Sequence, residues 1–272
     1  MRRLLLCLPL CLLLAPAGPR DTERPPAAPI TAVADDGGAL PTQEQMKRLA
    51  ETDPVAFLQA CIRRYDREVK GYHCILHKQE RLQGTLQPSE TIACDFREDP
   101  FSVLMDWREG TRLAKRTLYV KGENKDNILV KPAGLLALAG VVERDPLGTD
   151  AKKSSRVPIT EFGIRIGMGH ALAPGEAAQK QNALHVEFLG EAKVKEAGDR
   201  VCWKLHRKDY KKPEDIDGVA DAVFYYDKET WLQVGTTLKD ADGKLLGEYW
   251  FRDIQLNPDF KAGTFSREAV GR

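Results

Sequence analysis

The stretch GYHCILHKQERLQG, residues 71–84, places two histidines, a cysteine and a glutamate within ten positions. Such residues serve metals and nucleophiles, or they sit in an ordinary strand. A metal site needs His73, Cys74 and His77 to converge, as they would on one face of a helix. However, Gly71 and Gly84 bracket the segment, and a strand-like partner begins at Thr91. In a strand, His73 and His77 share a face but lie about 13 Å apart at ~3.3 Å per residue, with Cys74 on the other side. Zinc ligands sit ~2.0–2.3 Å from the ion, so one ion cannot take all three from this segment. A catalytic Cys–His pair fails on the same geometry, because adjacent strand residues face apart. The segment reads as a β-strand and Cys74 as a structural thiol.

Upstream of this strand the pattern is helical. Thr42 with Gln45 has the form of a capping box, and Asp53-Pro54 supplies an N-cap followed by proline at the first helical position. Val55, Leu58, Ile62, Tyr65 and Val69 then recur at spacings of three and four, one apolar face of a helix ending near Gly71. Downstream the period is two. Strands are predicted over 91–97, 101–107, 113–121, 127–131, 184–189, 201–207, 222–227, 231–238 and 245–254, the last two joined by the hairpin signal Asp240-Ala-Asp-Gly243. With 71–84 this makes about ten strands, an α+β chain that is mainly antiparallel β and curls toward a barrel. An interruption from Pro132 to about Ala183 carries the apolar 134–142 and a helix-like 174–181.

Residues 1–17 have the form of a cleaved export signal: Met1-Arg2-Arg3, an apolar run over Leu4–Leu14, then Ala15-Pro16-Ala17. The run is short against the ~20 residues of a spanning helix. A retained anchor and a lipid-modified Cys11 are the alternatives, and Leu8-Pro9-Leu10 lacks the small residues expected before a lipidated cysteine. Residues 18–41, rich in Pro, Ala, Asp and Gly, are expected to form a disordered tether, leaving 42–272 as one domain. The mature chain is expected to contain no membrane span and to work in the periplasm or elsewhere in the cell envelope. Without Arg2 and Arg3 the chain carries 39 basic and 40 acidic side chains, which argues against nucleic acid as a partner. Cys61, Cys74, Cys94 and Cys202 remain after the leader, in three possible pairings. Cys74 and Cys94 are symmetric about Gly84, so a tight hairpin there would set them opposite each other, with Cys202 competing for either.

No nucleotide-binding, hydrolase or zinc-protease motif occurs, and no cofactor or metal is expected. An enzyme would need a polar cluster inside the fold that recruits His73, His77, His185 or His206 from different strands. Aromatic residues carry more signal. Phe101, Trp107, Trp203, Phe224, Tyr226, Trp231, Tyr249 and Phe251 all fall in predicted strands, where they fill a core or line an apolar cavity.

The order "YHCILHKQERLQG", "FREDPFSVLMDWREG", "LYVKGEN", "SRVPITEFGI" and "GEYWFRDIQLNPDF" resembles the bacterial domain-of-unknown-function family 1571 over most of residues 45–265. The broader pattern is similar to the LolA/LolB-like superfamily of lipoprotein carriers. That resemblance implies a curled half-barrel of about ten strands, closed by the N-terminal helix and the mid-chain insertion, with an apolar concave face and, in the carriers, a cavity for lipoprotein acyl chains. It also implies a role for Arg97, equivalent to an arginine that precedes a proline in the carriers, here with Glu98 and Asp99 inserted before Pro100. The expected function is a non-enzymatic binding protein holding an acyl chain, lipid or lipoprotein. Arg97, Phe101, Val103, Met105, Trp107, Trp203, Phe224, Tyr226, Trp231, Tyr249 and Phe251 are the cavity candidates, and 134–142 is a candidate flap. An envelope sensor that binds a protein partner is the alternative.

Overall fold

The computed structural model describes residues 32–35, 37–111, 113–208 and 218–272. The expected signal 1–17 and most of the tether 18–41 lie outside these residues. The described end of the tether is held against the domain: Arg67 forms an ion pair with Asp35 and donates to the Gly38 carbonyl (2.8 Å), while Val33 and Leu40 pack on the core. Helix α1 (Gln43–Thr52) starts on the expected capping box, in which Thr42 Oγ1 accepts from Gln45 N and Gln45 Oε1 accepts from Thr42 N. Helix α2 (Pro54–Glu68) starts where Asp53 accepts from Ala56 N at 3.0 Å.

Among the described residues twelve strands follow, in one open sheet. On one side of its middle lie β1 (Gly71–Leu82), β2 (Thr85–Leu86), β3 (Glu90–Arg97), β4 (Ser102–Glu109), β5 (Ala114–Val120), β6 (Ile128–Pro132) and β7 (Val142–Arg144). On the other lie β8 (His185–Val194), β9 (Arg200–Lys208), β10 (Asp221–Asp227), β11 (Gln233–Lys239) and β12 (Leu245–Leu256). The order is β7-β6-β5-β4-β3-β1-β12-β11-β10-β9-β8, with β2 paired to β1 and every pairing antiparallel. The short β2 and β7 account for the two strands beyond the ten read from periodicity. The first and last long strands, β1 and β12, pair at the centre, so the edges are β7 and β8, which are consecutive in the chain.

The segment joining those edges holds α3 (Thr149–Ser154) and α4 (Ile164–Lys180), and it crosses the inner face of the sheet. Helix α4 is longer than the expected 174–181 and contains Pro174. Its glycines argue against a helix in the sequence. The spacing Ile164, Met168, Leu172, all buried, supplies the face that holds it. The helix enters through Gly163 at φ 129°, where a Cβ would meet the Phe96 ring at 3.3 Å. Tyr72 Oη accepts from the Ile164 N–H at 3.1 Å and fixes that entry. Helix α2 lies beside α4, tied by Arg165–Asp66 (2.7 Å) and Gln59–Glu176 (2.8 Å).

Helix α2 fills the part of the inner face over β9 and β10. Phe57 stands edge-on to Trp203 (5.7 Å) and Tyr226 (5.1 Å). On the outer face, Val270 of α5 (Arg267–Gly271) packs on Leu118, Val120 and Leu129. Replacing Phe57 with alanine removes the contact that seats α2 and is expected to cost about 3–5 kcal/mol, read as a lower denaturant midpoint. An unchanged midpoint would mean that α2 is not held by this contact.

Candidate functional site

In β1, Tyr72, Cys74, Leu76, Lys78, Glu80 and Leu82 point to the inner face, and His73, Ile75 and His77 point outward, as the burial alternation shows. The pairing partners follow suit: Cys74 stands opposite Cys94, Lys78 opposite Glu90 on β3 and Tyr249 on β12. Toward the Gly71 end, the inner face is closed by aromatic packing. Tyr72 stacks on Phe96 (4.8 Å), Phe162 lies against Phe96 (5.9 Å) and Phe251 (6.1 Å), and Phe101 stands edge-on to Phe96 (5.4 Å).

Toward the Leu82 end the sheet is not filled. A cavity of about 970 Å³ lies between β1, β3–β6, β11 and β12 on one side and α3, α4 and the 155–163 strap on the other. This is at the upper end of the ~300–1,000 Å³ of small-molecule sites. Leu76, Ile92, Met105, Val130, Ile164 and Phe251 give it apolar walls above the aromatic floor.

Polar residues cluster near its mouth. Lys78 Nζ lies 2.9 Å from Glu80 and 3.2 Å from Glu90, and all three side chains are buried. Each group is tied further. Tyr249 Oη donates to Glu80 (2.8 Å), Trp107 Nε1 donates to Glu90 (3.2 Å), and Lys78 donates to Ser155 Oγ (3.3 Å). Ser155 Oγ and the Arg156 N–H both donate to Glu80, at 3.2 and 3.4 Å. Burial alone would lower the Lys78 pKa, but the two carboxylates outweigh it and hold it raised. Burial pushes Glu80 up, yet Lys78, Tyr249 and the Arg156 amide outweigh that and hold it below the usual range. The cluster fastens the strap to the sheet.

Five of the eleven expected cavity residues line this space: Met105, Trp107, Phe224, Tyr249 and Phe251. The other six do not. Arg97 lies on the outer face, over the Phe265 ring (4.7 Å) and bonded to Ser102 Oγ (2.9 Å), because it alternates with the inward Phe96. Phe101 and Val103 belong to the closed aromatic end. Trp203 and Tyr226 are covered by Phe57 of α2, and Trp231 is buried with Arg64 over its ring at 4.6 Å. Cys74 and Cys94 are opposed free thiols, and Cys202, the third disulfide candidate, lies on β9 with β12, β11 and β10 between it and β1. Its thiol faces the Arg200 carbonyl instead, at 3.8 Å.

The candidate histidines lie away from the cavity lining. His73 pairs with Asp95 (2.7 Å) and His206 with Asp221 (2.5 Å), while His77 bonds Thr91 (3.0 Å) and His185 is exposed on edge strand β8. The cavity has a different histidine, His170 of α4, 3.5 Å from Glu161. The Lys78–Glu80–Glu90 cluster is absent from the expected site because charged strand residues read as solvated. The available signal was parity: Lys78 and Glu80 continue the face of Tyr72, Cys74 and Leu76.

Removing Lys78 leaves two buried carboxylates close together. Lys78→Met is expected to cost about 3–5 kcal/mol near pH 7. Without the ammonium, burial and mutual repulsion raise the carboxyl pKa in the folded state, so the variant regains stability as pH falls from about 7 to about 5. Glu80 in the parent protein has the opposite sign: its contribution is present above the ordinary carboxylate pKa of about 4.3 and is lost only as pH falls through its lowered value. Thermal melts at both pH values test this, and a variant equally unstable at both contradicts it.

The sequence matches the family described as "Protein of unknown function (DUF1571)" over residues 69–269. No curated protein matches it. Among solved structures it is similar to lipoprotein LppX of Mycobacterium tuberculosis, with 14% identity, TM-score 0.42, and coverage of 77% of this chain and 99% of that one. It is also similar to a putative outer membrane lipoprotein-sorting protein domain from Vibrio parahaemolyticus, at 12% identity, TM-score 0.36 and coverage of 79% and 98%. A LolA superfamily protein from Nitrosomonas europaea gives 7% identity, TM-score 0.35 and coverage of 78% and 98%. The family match spans most of the chain, from Val69, the residue after α2, into the C-terminal helix α5, and the chain belongs to the DUF1571 family.

Proposed function

We propose that this protein is a non-enzymatic binding protein of the cell envelope that holds an acyl chain, free or as part of a lipid or lipoprotein. The observation that carries this reading is the cavity of about 970 Å³, walled by aliphatic and aromatic side chains from both the sheet and α4. Its polarity is graded along β1. The aromatic floor lies at one end, and Lys78, Glu80 and Glu90 lie toward the other, where Leu113, Pro132 and Leu136 border the opening. A long apolar group with one polar end matches that gradient. The charged groups near the mouth are engaged with one another and with the strap, which fits a structural clamp better than an acid–base pair. On the leader-like sequence of residues 1–17, the proposed place of action is the periplasm or another part of the envelope.

Native mass spectrometry of the full chain purified from the envelope, with lipid extraction of the same sample, tests the proposal. A stoichiometric acyl-bearing species is expected, and Val130→Trp, which fills the cavity from β6, is expected to lower its occupancy. A bare protein mass that stays unchanged after incubation with lipids and lipoproteins would overturn it.

A further inference from the structure

From Ala133 to Val142 the chain has no charged or polar side chain. This segment does not fold over the cavity as a plug. It forms a 3-10 turn, Gly134–Ala139, that holds its leucines outward, with Leu135 90%, Leu136 70% and Leu138 92% exposed. Gly134 and Gly140 take positive φ, 59° and 71°, and bracket the turn. Leu113 and Leu147 are also exposed. Leu113 and Leu136 line the mouth, so this apolar surface is continuous with the cavity wall. An apolar patch of this kind marks an interaction surface.

The charges around it indicate what covers it. Between Lys131 and Arg156 there are five basic and three acidic residues. Glu143 pairs with Arg267 (2.9 Å) and Asp150 with Arg144, one of the five bases (3.7 Å), so the segment keeps an excess of two basic charges. Lys152 and Lys153 are exposed in the last turn of α3. An apolar tip flanked along the chain by net positive charge is complementary to an anionic bilayer, which takes leucines into its acyl layer and lysines among its phosphates. The near-neutral whole chain places this property in the local pattern.

We propose that the 134–140 turn and α3 dock the protein on an anionic lipid bilayer, with the mouth of the cavity facing the lipid. The leucines would enter the acyl region, Lys152 and Lys153 would lie among the headgroups, and a chain leaving the bilayer would reach the cavity past Leu136 without crossing water. This goes beyond the cavity reading, since docking and cavity occupancy can be measured separately.

The test is sedimentation of the full chain with phosphatidylcholine vesicles, with and without phosphatidylglycerol. Binding is expected to require phosphatidylglycerol and to weaken with salt. Leu135→Ser with Leu138→Ser is expected to weaken it roughly tenfold or more, from the apolar area withdrawn. Lys152→Glu with Lys153→Glu is expected to abolish the preference for anionic vesicles. Leu135 and Leu138 are exposed and lie outside the cavity lining, so the melting temperature of the leucine variant and its uptake of a fluorescent fatty acid should match the parent; Lys153 borders the cavity, so the lysine variant is read by its melting temperature and its vesicle preference alone. A parent that takes up the fatty acid but does not sediment with vesicles overturns the docking proposal and leaves the cavity reading standing. Leucine variants that sediment as well as the parent overturn it too. So does a leucine-dependent dimer by light scattering without vesicle binding, which would make a second copy the occupant.

Discussion

The pairing of β1 with β12 governs this structure. It joins the first and last long strands at the centre of the sheet and makes the consecutive strands β7 and β8 its two edges. The chain between them must therefore travel from edge to edge, and it does so across the inner face with α3 and α4. Helix α2, arriving just before β1, takes the part of the face over β9 and β10. Where α3 and α4 span the sheet without packing down on it, over β1, β3 to β6, β11 and β12, the space left is the cavity.

A strap bridging an apolar space needs a fixed point. Lys78, Glu80 and Glu90 supply it. Two carboxylates and one ammonium out of water are expensive unless fully hydrogen-bonded. Here Tyr249, Trp107, Ser155 and the Arg156 amide complete the set. Because Ser155 and Arg156 belong to the strap and the rest to the sheet, the hydrogen bonds that make the cluster tolerable also hold the cavity's cover in place. The same residues put the polar groups of the cavity at the end of β1 away from the aromatic floor.

Much of the fold was legible in the sequence because it rests on local rules. The capping box at Thr42, the Asp53-Pro54 helix start, the period-two strands and the Asp240–Gly243 hairpin each depend on neighbours in the chain. Helix α4 was only half legible: its glycines argue locally against a helix, and its stability comes from α2 and Tyr72. The site was less legible than the fold. Strand parity tells which residues share a face but not which part of that face a helix will cover. Trp203 and Tyr226 thus pack under Phe57, while Met105 and Trp107, equally aromatic or apolar and equally inward, line the cavity. Lys78 and Glu80 had the right parity and the wrong chemistry for a core.

The protein has four tryptophans, and of these Trp107 lines the cavity, whereas Trp203, Trp231 and Trp250 are buried in packed regions elsewhere. Tryptophan fluorescence during titration with a brominated fatty acid therefore reads the cavity directly. A chain held there quenches a saturable part of the emission, and Trp107→Phe removes that part while leaving the rest. Quenching that survives Trp107→Phe unchanged, or no saturable quenching in the parent protein, would contradict a cavity that holds an acyl chain.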